Sequence, residues 1–288
     1  SFCESPVGIN LRRKLNQNMK NPVVMSEIWR GSFLESVHYG HAVICDAAGH
    51  VIKTWGDPDQ IILPRSSIKM IQALPLITSG AAKAWQLGSE HLALACASHQ
   101  GAAIHTDRVQ SWLLALGKTD DDFRCGVQIP NDKTARQDLR AQDKSPCQMH
   151  NNCSGKHTGF LTLSQHLKAG PEYVDPMHPV QKACLEAFEM TTGASSPGYA
   201  IDGCSAPNFA AKLKDVAQAM AWFASAQDRS DSASQAAQRL TEAMMLHPDL
   251  VAGEGRACTD LMRATSGRAA VKTGAEGVFT AILPQQRL

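Results

Sequence analysis

The stretch AAVKTGAEGVFTAIL, residues 269–283, decides the fold. Its two runs, AAVKTG and GVFTAIL, are rich in β-branched and apolar residues and are separated by a turn cluster, so they read as two strands closing the chain. Working outward, residues 40–56, GHAVICDAAGHVIKTWG, read as a hairpin turning at Ala-Ala-Gly. GYAID, residues 198–202, reads as a short strand. Between the two ends the spacing is helical. SSIKMIQALPLI follows the break at Pro64, and further helices are predicted over 102–117, 154–168, 178–192, 212–226 and 232–246. Strands at both ends and helices between predict an α+β fold, with N- and C-terminal strands pairing in one antiparallel sheet. Residues 19–288 are expected to form a single domain. Residues 1–18 read as a leader or tag-like tail, with Met19 a plausible start. Because the sequence stops inside a strand-like apolar run, a further C-terminal piece is expected.

Bulk composition narrows the function. With 28 Lys+Arg against 27 Asp+Glu, formally +1, the chain carries no charge excess suited to nucleic acid. Its longest apolar runs, such as HLALACA at 91–97, are too short to span a membrane. The N-terminus lacks the apolar core of a signal peptide, so a cytoplasmic location and reduced cysteines are expected for the nine present. Cys45 and Cys96 sit in apolar runs and read as core. Cys153, Cys204 and Cys258 lie beside glycine or charged residues.

Several segments carry chemistry. Ser66 and Lys69 form an S-x-x-K, and on a helix residues three apart share a face, so hydroxyl and amine can meet. A serine needs a base to become a nucleophile, and a lysine serves only if its pKa is lowered. About one S-x-x-K is expected by chance in a chain this long, and a capping serine is the simpler reading of Ser66 alone. Lys272-Thr273-Gly274 changes the balance. A strand-borne K-T-G downstream of an S-x-x-K helix is the paired signature of penicillin-binding-type serine hydrolases, although no S-D-N element stands between them. Ser98, in CASHQG, could present its hydroxyl in a cleft or simply occupy a turn. His99 and His105 read as exposed loop histidines.

HNNCSGKH, residues 150–157, places Cys153 and Lys156 three apart at a helix start, where the helix dipole favours a thiolate. A redox pair would need a second cysteine at C-x-x-C spacing, which is absent. A metal site would need further ligands. Cys204, in IDGC beside Asp202, could supply one, and lysine ligates only when deprotonated.

PRSSIK (64–69), ACASHQG (95–101), HNNCSGKH, IDGC (201–204) and AVKTGAEGVF (270–279) together resemble the L-asparaginase II family of the rhizobial type, from about residue 24 to the end. The resemblance implies a fold similar to serine β-lactamases and glutaminases. It implies a homodimer that hydrolyses L-asparagine to L-aspartate and ammonia. Ser66 with Lys69 and Ser98 with Lys272 are then the catalytic pairs. Cys153, Lys156 and Cys204 would hold a zinc ion that tunes substrate binding rather than performing the chemistry. Asp202 would receive the substrate amino group, with Arg65, His157 and Cys258 close to the site.

On that reading Lys69 activates Ser66 for attack on the side-chain amide, and Ser98–Lys272 protonates the leaving ammonia. Sequence does not separate Ser66 from Ser98 as nucleophile; the fixed spacing to Lys69 favours Ser66. Two rival readings stand beside it. A penicillin-binding or β-lactamase-type hydrolase shares S-x-x-K and K-T-G but calls for export and S-D-N. A non-enzymatic zinc or thiol module built on Cys153 and Cys204 leaves Lys69, Ser98 and Lys272 unexplained.

Overall fold

The computed structural model describes residues 21–288, so the leader reading of residues 1–18, the Met19 start and Cys3 lie outside the described residues. Val23–Arg30 (β1) and Phe33–Gly40 (β2) form an antiparallel hairpin turning at Gly31, whose φ of 60° suits a residue without a side chain. The sequence reading missed it, because its apolar residues fall on both faces and most stay exposed, Trp29 and Phe33 among them. Ala42–Cys45 (β3) and Val51–Trp55 (β4) form the expected hairpin within 40–56. Asp46 closes its turn by accepting the backbone N–H groups of Ala48 and His50.

A 3-10 turn over Arg65–Ile68 leads into helix α1, Lys69–Thr78. Every residue of α1 from Lys69 to Leu76 is buried, which is why this segment shows no polar face. Around it stand α2 (Ser89–Ala95), α3 (Ala103–Ala115), α4 (Lys133–Ala141), α5 (Ser154–His166), α6 (Pro179–Thr192), α7 (Leu213–Ala224), α8 (Ser232–Leu246) and α9 (Ala257–Ala264). Their ends follow local chemistry. Asp132 and Asp231 cap α4 and α8 through their side chains. Pro179 opens α6, and Gly193, at φ 66°, ends it. α1 packs on α5, α6 and α8.

Tyr199–Ile201 (β6) pairs with Pro207–Phe209 (β7), and the two-residue strands Ile61–Ile62 (β5) and Ala211–Lys212 (β8) pair with each other. Ala270–Thr273 (β9) and Phe279–Ile282 (β10) make the antiparallel pair read from the closing stretch. The fold is thus mixed helix and strand, as an α+β class requires. The single sheet expected from N- and C-terminal strands is not formed among the described residues: each strand pair stands alone. β3 and β10 both pack on α7, yet neither hydrogen-bonds to the other. Shared burial on one helix, rather than strand pairing, brings the two ends together. No helix among the described residues is long and apolar enough to cross a membrane.

Two glycines permit the contacts that build the centre. A Cβ on Gly274, just after β9, would lie 2.5 Å from the Pro64 carbonyl oxygen, so glycine lets the K-T-G strand press against the turn before α1. A Cβ on Gly155 would collide with the Leu94 carbonyl, so this glycine of HNNCSGKH sets the approach of α5 to α2. Gly155→Ala is therefore expected to lower the unfolding free energy by about 1–3 kcal/mol, as forced overpacking does. Urea denaturation checks this, and an unchanged midpoint would count against the close approach.

Candidate active site

A polar cleft of about 400 Å³ opens where the turn before α1, the residues before α5, the β6–β7 turn and the end of β9 meet. Ser66, Ser98, Cys153, Cys204, Asp202 and Arg65 all line it. These come from four segments far apart in the chain. Arg65, at φ 55°, stands immediately before Ser66 and gives the turn an unusual backbone. Ser66 is left half-buried at the cleft wall, while Lys69 runs into the core with 1% of its surface exposed.

Lys69 Nζ has three partners: the Ala97 carbonyl oxygen, Ser98 Oγ at 2.9 Å and Cys153 Sγ at 3.1 Å. Lys272 Nζ reaches the same Ser98 Oγ at 2.8 Å and donates to the Thr273 carbonyl at 2.8 Å. Ser98 is thus held between both amines. The Ser98–Lys272 pair expected from sequence is in contact, whereas Lys69 meets Ser98 rather than Ser66. The i, i+3 argument assumed one continuous helix, but the 3-10 turn ends at Ile68 before α1 begins at Lys69. Burial, and next the nearby Lys69, lowers the Lys272 pKa to about 7, which makes its amine a base at neutral pH.

The second cluster lies against the first. Lys156 Nζ donates to Cys204 Sγ at 3.2 Å, and the thiols of Cys153 and Cys204 act on each other. Cys153 is pushed up to about 12 by Cys204 and by burial, so it keeps its proton. Cys204 is pulled well below the usual thiol range by Cys153 and then by Lys156, despite burial. Burial opposes the charge on Lys156, but Cys204 and Cys153 outweigh it and raise its pKa. The resting pair is a thiolate beside an ammonium. Among the described residues no three His, Cys, Asp or Glu side chains gather around a common point. The residues that could hold a metal are two thiols and an amine, Cys153, Cys204 and Lys156, and it is the thiolate sulfurs that would suit zinc.

Arg65 Nε and Nη2 grip Asp202 Oδ1 at 2.8 and 2.6 Å, and the Gly203 N–H donates to the same oxygen at 2.7 Å. Burial raises the Asp202 pKa, but these bonds outweigh it and hold the carboxyl ionised.

His157 and Cys258 do not line the cleft. His157 is buried behind Lys156, where its Nδ1 pairs with the Tyr173 hydroxyl at 2.9 Å. The Tyr173 hydroxyl oxygen also accepts the Arg124 N–H at 2.8 Å. Cys258 is buried and accepts the Thr273 N–H at 3.3 Å, steadying the strand that carries Lys272.

His99 and His105, read as exposed, are fully buried and stacked, with ring centroids 4.8 Å apart. His99 ties the Ser98 loop to both sides of Cys153: its N–H donates to the Asn152 carbonyl at 3.1 Å, and its Nε2 pairs with Ser154 Oγ at 2.9 Å. Asn151 Oδ1 accepts the Cys153 N–H at 2.9 Å, and its amide group donates to the Cys125 and Gly126 carbonyls. Sequence reasoning also passed over Arg256 and Gln128, both on the cleft wall, since nothing in their local spacing marks them.

A polar cleft in which buried amines hold a hydroxyl has the layout of a hydrolytic enzyme. Comparison with known families makes this specific: the profile of the L-asparaginase II family matches residues 26–288, and the chain belongs to that family. Membership supports an asparaginase-type amidohydrolase activity. No curated protein sequence matched the chain.

The ion pair in the thiol cluster has a chemical consequence. In chelator-treated protein at pH 7, iodoacetamide is expected to label Cys204 ahead of Cys258. Lys156→Met should slow that labelling by tenfold or more, since each unit of pKa is about a tenfold change in thiolate. Equal labelling rates in the two proteins would contradict the pairing.

Proposed function

We propose that the protein hydrolyses the side-chain amide of L-asparagine to L-aspartate and ammonia through an acyl-enzyme on Ser66. The observation that carries this reading is the pair of hydroxyls in one cleft, one of them bound by an amine whose pKa lies near 7. Ser66 Oγ attacks the amide carbon. Its proton passes by way of Ser98 to neutral Lys272, because Lys69 is engaged with Ser98 rather than with Ser66. The backbone N–H groups of Ser66 and Ala275 both belong to cleft residues and make no hydrogen bond among the described residues, so they are available to the developing oxyanion. One such donor is typically worth about 10²–10³ in rate. The C–N bond then breaks, and Lys272 returns its proton through Ser98 to the departing ammonia. Water attacks the ester with the same groups working in reverse, releasing aspartate and the Ser66 hydroxyl.

Asp202 receives the substrate ammonium. Its contacts with Arg65 and Gly203 all fall on Oδ1, which leaves Oδ2 free to accept. Cys153, Cys204 and Lys156 would hold a zinc ion. Bound there, the metal would supply a positive charge that favours ionised thiols and tunes substrate affinity. Lys156 must lose its proton to ligate, so uptake is coupled to proton release. A homodimer in the cytoplasm belongs to the same proposal; the family match supports the amidohydrolase activity and favours neither the β-lactam nor the non-enzymatic alternative.

One observation favours a second reading of the nucleophile: both amines touch Ser98, so Ser98 could attack directly. Trapping separates the two.

A coupled ammonia assay on L-asparagine is expected to show turnover in the wild type and a loss of at least about a thousandfold in Ser66→Ala. A slow acylating analogue should modify Ser66 in peptide mapping; modification of Ser98 would establish the second reading. The base must be neutral to work, so kcat/KM should fall about tenfold per pH unit below roughly pH 7 and level off above it. A profile flat from pH 5 to 8 would exclude Lys272 as the base.

A further inference from the structure

Besides Cys204, whose charge is matched by Lys156, the cleft is lined by three charged side chains: Arg65, Asp202 and Arg256. Arg65 and Asp202 satisfy each other at 2.6–2.8 Å. Arg256 has no carboxylate within 4.0 Å and its guanidinium makes no hydrogen bond among the described residues. A half-buried guanidinium with five unused donors on a cleft wall is matched to a planar anion that arrives with the ligand.

The segment that presents it is fixed before any ligand binds. Arg256 stands at the N-terminal boundary of α9, after Gly253 at φ 118° and Gly255 at φ 69°. Gly253 leaves the space taken by the Gln100 side chain, where a Cβ would come within 2.5 Å. Thr259 Oγ1 donates to the carbonyls of Gly253 and Pro248, at 2.6 and 3.0 Å. The arginine is therefore delivered by a braced loop, which limits the ordering cost of a contact made there.

We propose that Arg256 is the specificity residue that binds the substrate α-carboxylate, with Asp202 holding the α-ammonium. This rests on the asparaginase reading and deepens it. The cleft then recognises the zwitterionic head of an α-amino acid by one free cation and one carboxylate with a free oxygen, and leaves the side-chain amide to the hydroxyls. A primary amide without the α-carboxylate loses the Arg256 contact and nothing else.

The test compares L-asparagine with 3-aminopropanamide, which lacks the α-carboxylate, and with succinamate, which lacks the α-amino group. Arg256→Gln is expected to lower kcat/KM for L-asparagine and succinamate by roughly 10- to 100-fold, mainly through KM, the range for a lost charged hydrogen bond. Turnover of 3-aminopropanamide should change less than threefold. Arg256→Lys should recover part of the loss, since it keeps the charge but not the fork. An equal loss on all three amides would mark Arg256 as structural, and no loss on L-asparagine would place the carboxylate elsewhere; either overturns the proposal. Binding gives an independent readout. By calorimetry, Arg256→Gln should weaken L-aspartate by a similar factor and leave β-alanine, aspartate without its α-carboxylate, unchanged. Failure of the wild type on every amide would sink the asparaginase reading alone, while equal L-aspartate affinity in wild type and Arg256→Gln would sink this one.

Discussion

Three lysine side chains, Lys69, Lys156 and Lys272, are buried to within a few per cent of full occlusion in one core. An unpaired buried ammonium costs several kcal/mol, so each amine must be paired, or neutral. The protein uses both solutions. Lys156 stays charged beside the Cys204 thiolate. Lys272, whose hydrogen-bond partners are a hydroxyl and a carbonyl, has its pKa lowered to about 7. Lys69 lies between the two clusters and touches a member of each, Ser98 and Cys153.

This arrangement links the thiols to the hydroxyls. The cysteines beside Lys69 and Lys156 are not a redox pair set apart from the cleft; they supply the sulfur contacts on which both amines rest. The same thiol–amine cluster also positions the amine that bounds Ser98. His99 and Asn151 make the coupling rigid, because they fix the two flanks of Cys153 against the Ser98 loop. A change at either cluster should therefore be felt at the other.

Much of this was legible in the sequence, for local reasons. The hairpin within 40–56, the helix ending at Gly193 and the closing pair β9–β10 carry turn and cap signals within a few residues. Ser98, Lys272, Cys153, Lys156 and Cys204 sit in short segments whose composition is unusual for a core. What escaped is non-local. The β1–β2 hairpin shows no one-sided alternation, and the absence of pairing between β3 and β10 depends on how α7 carries both. His99 looked like a loop residue because its burial comes from α5 and its neighbours, not from its own segment. Arg256 has no periodicity to mark it; only the ion pair between Arg65 and Asp202, 137 residues apart, shows that Arg256 is the charge left over. The S-x-x-K inference failed at one step, since a break between the 3-10 turn and α1 sent Lys69 to a different serine.

The account stands on the claim that one buried lysine is uncharged near neutral pH. The most direct measurement is the pH titration of the lysine side-chain nitrogens by NMR in 15N-lysine-labelled protein, with the Lys272 signal assigned by its loss in Lys272→Met. Titration of Lys272 with a midpoint near 7, while surface lysines titrate above 10, is the result this account predicts. A Lys272 nitrogen that stays protonated to pH 10 with the rest would contradict it.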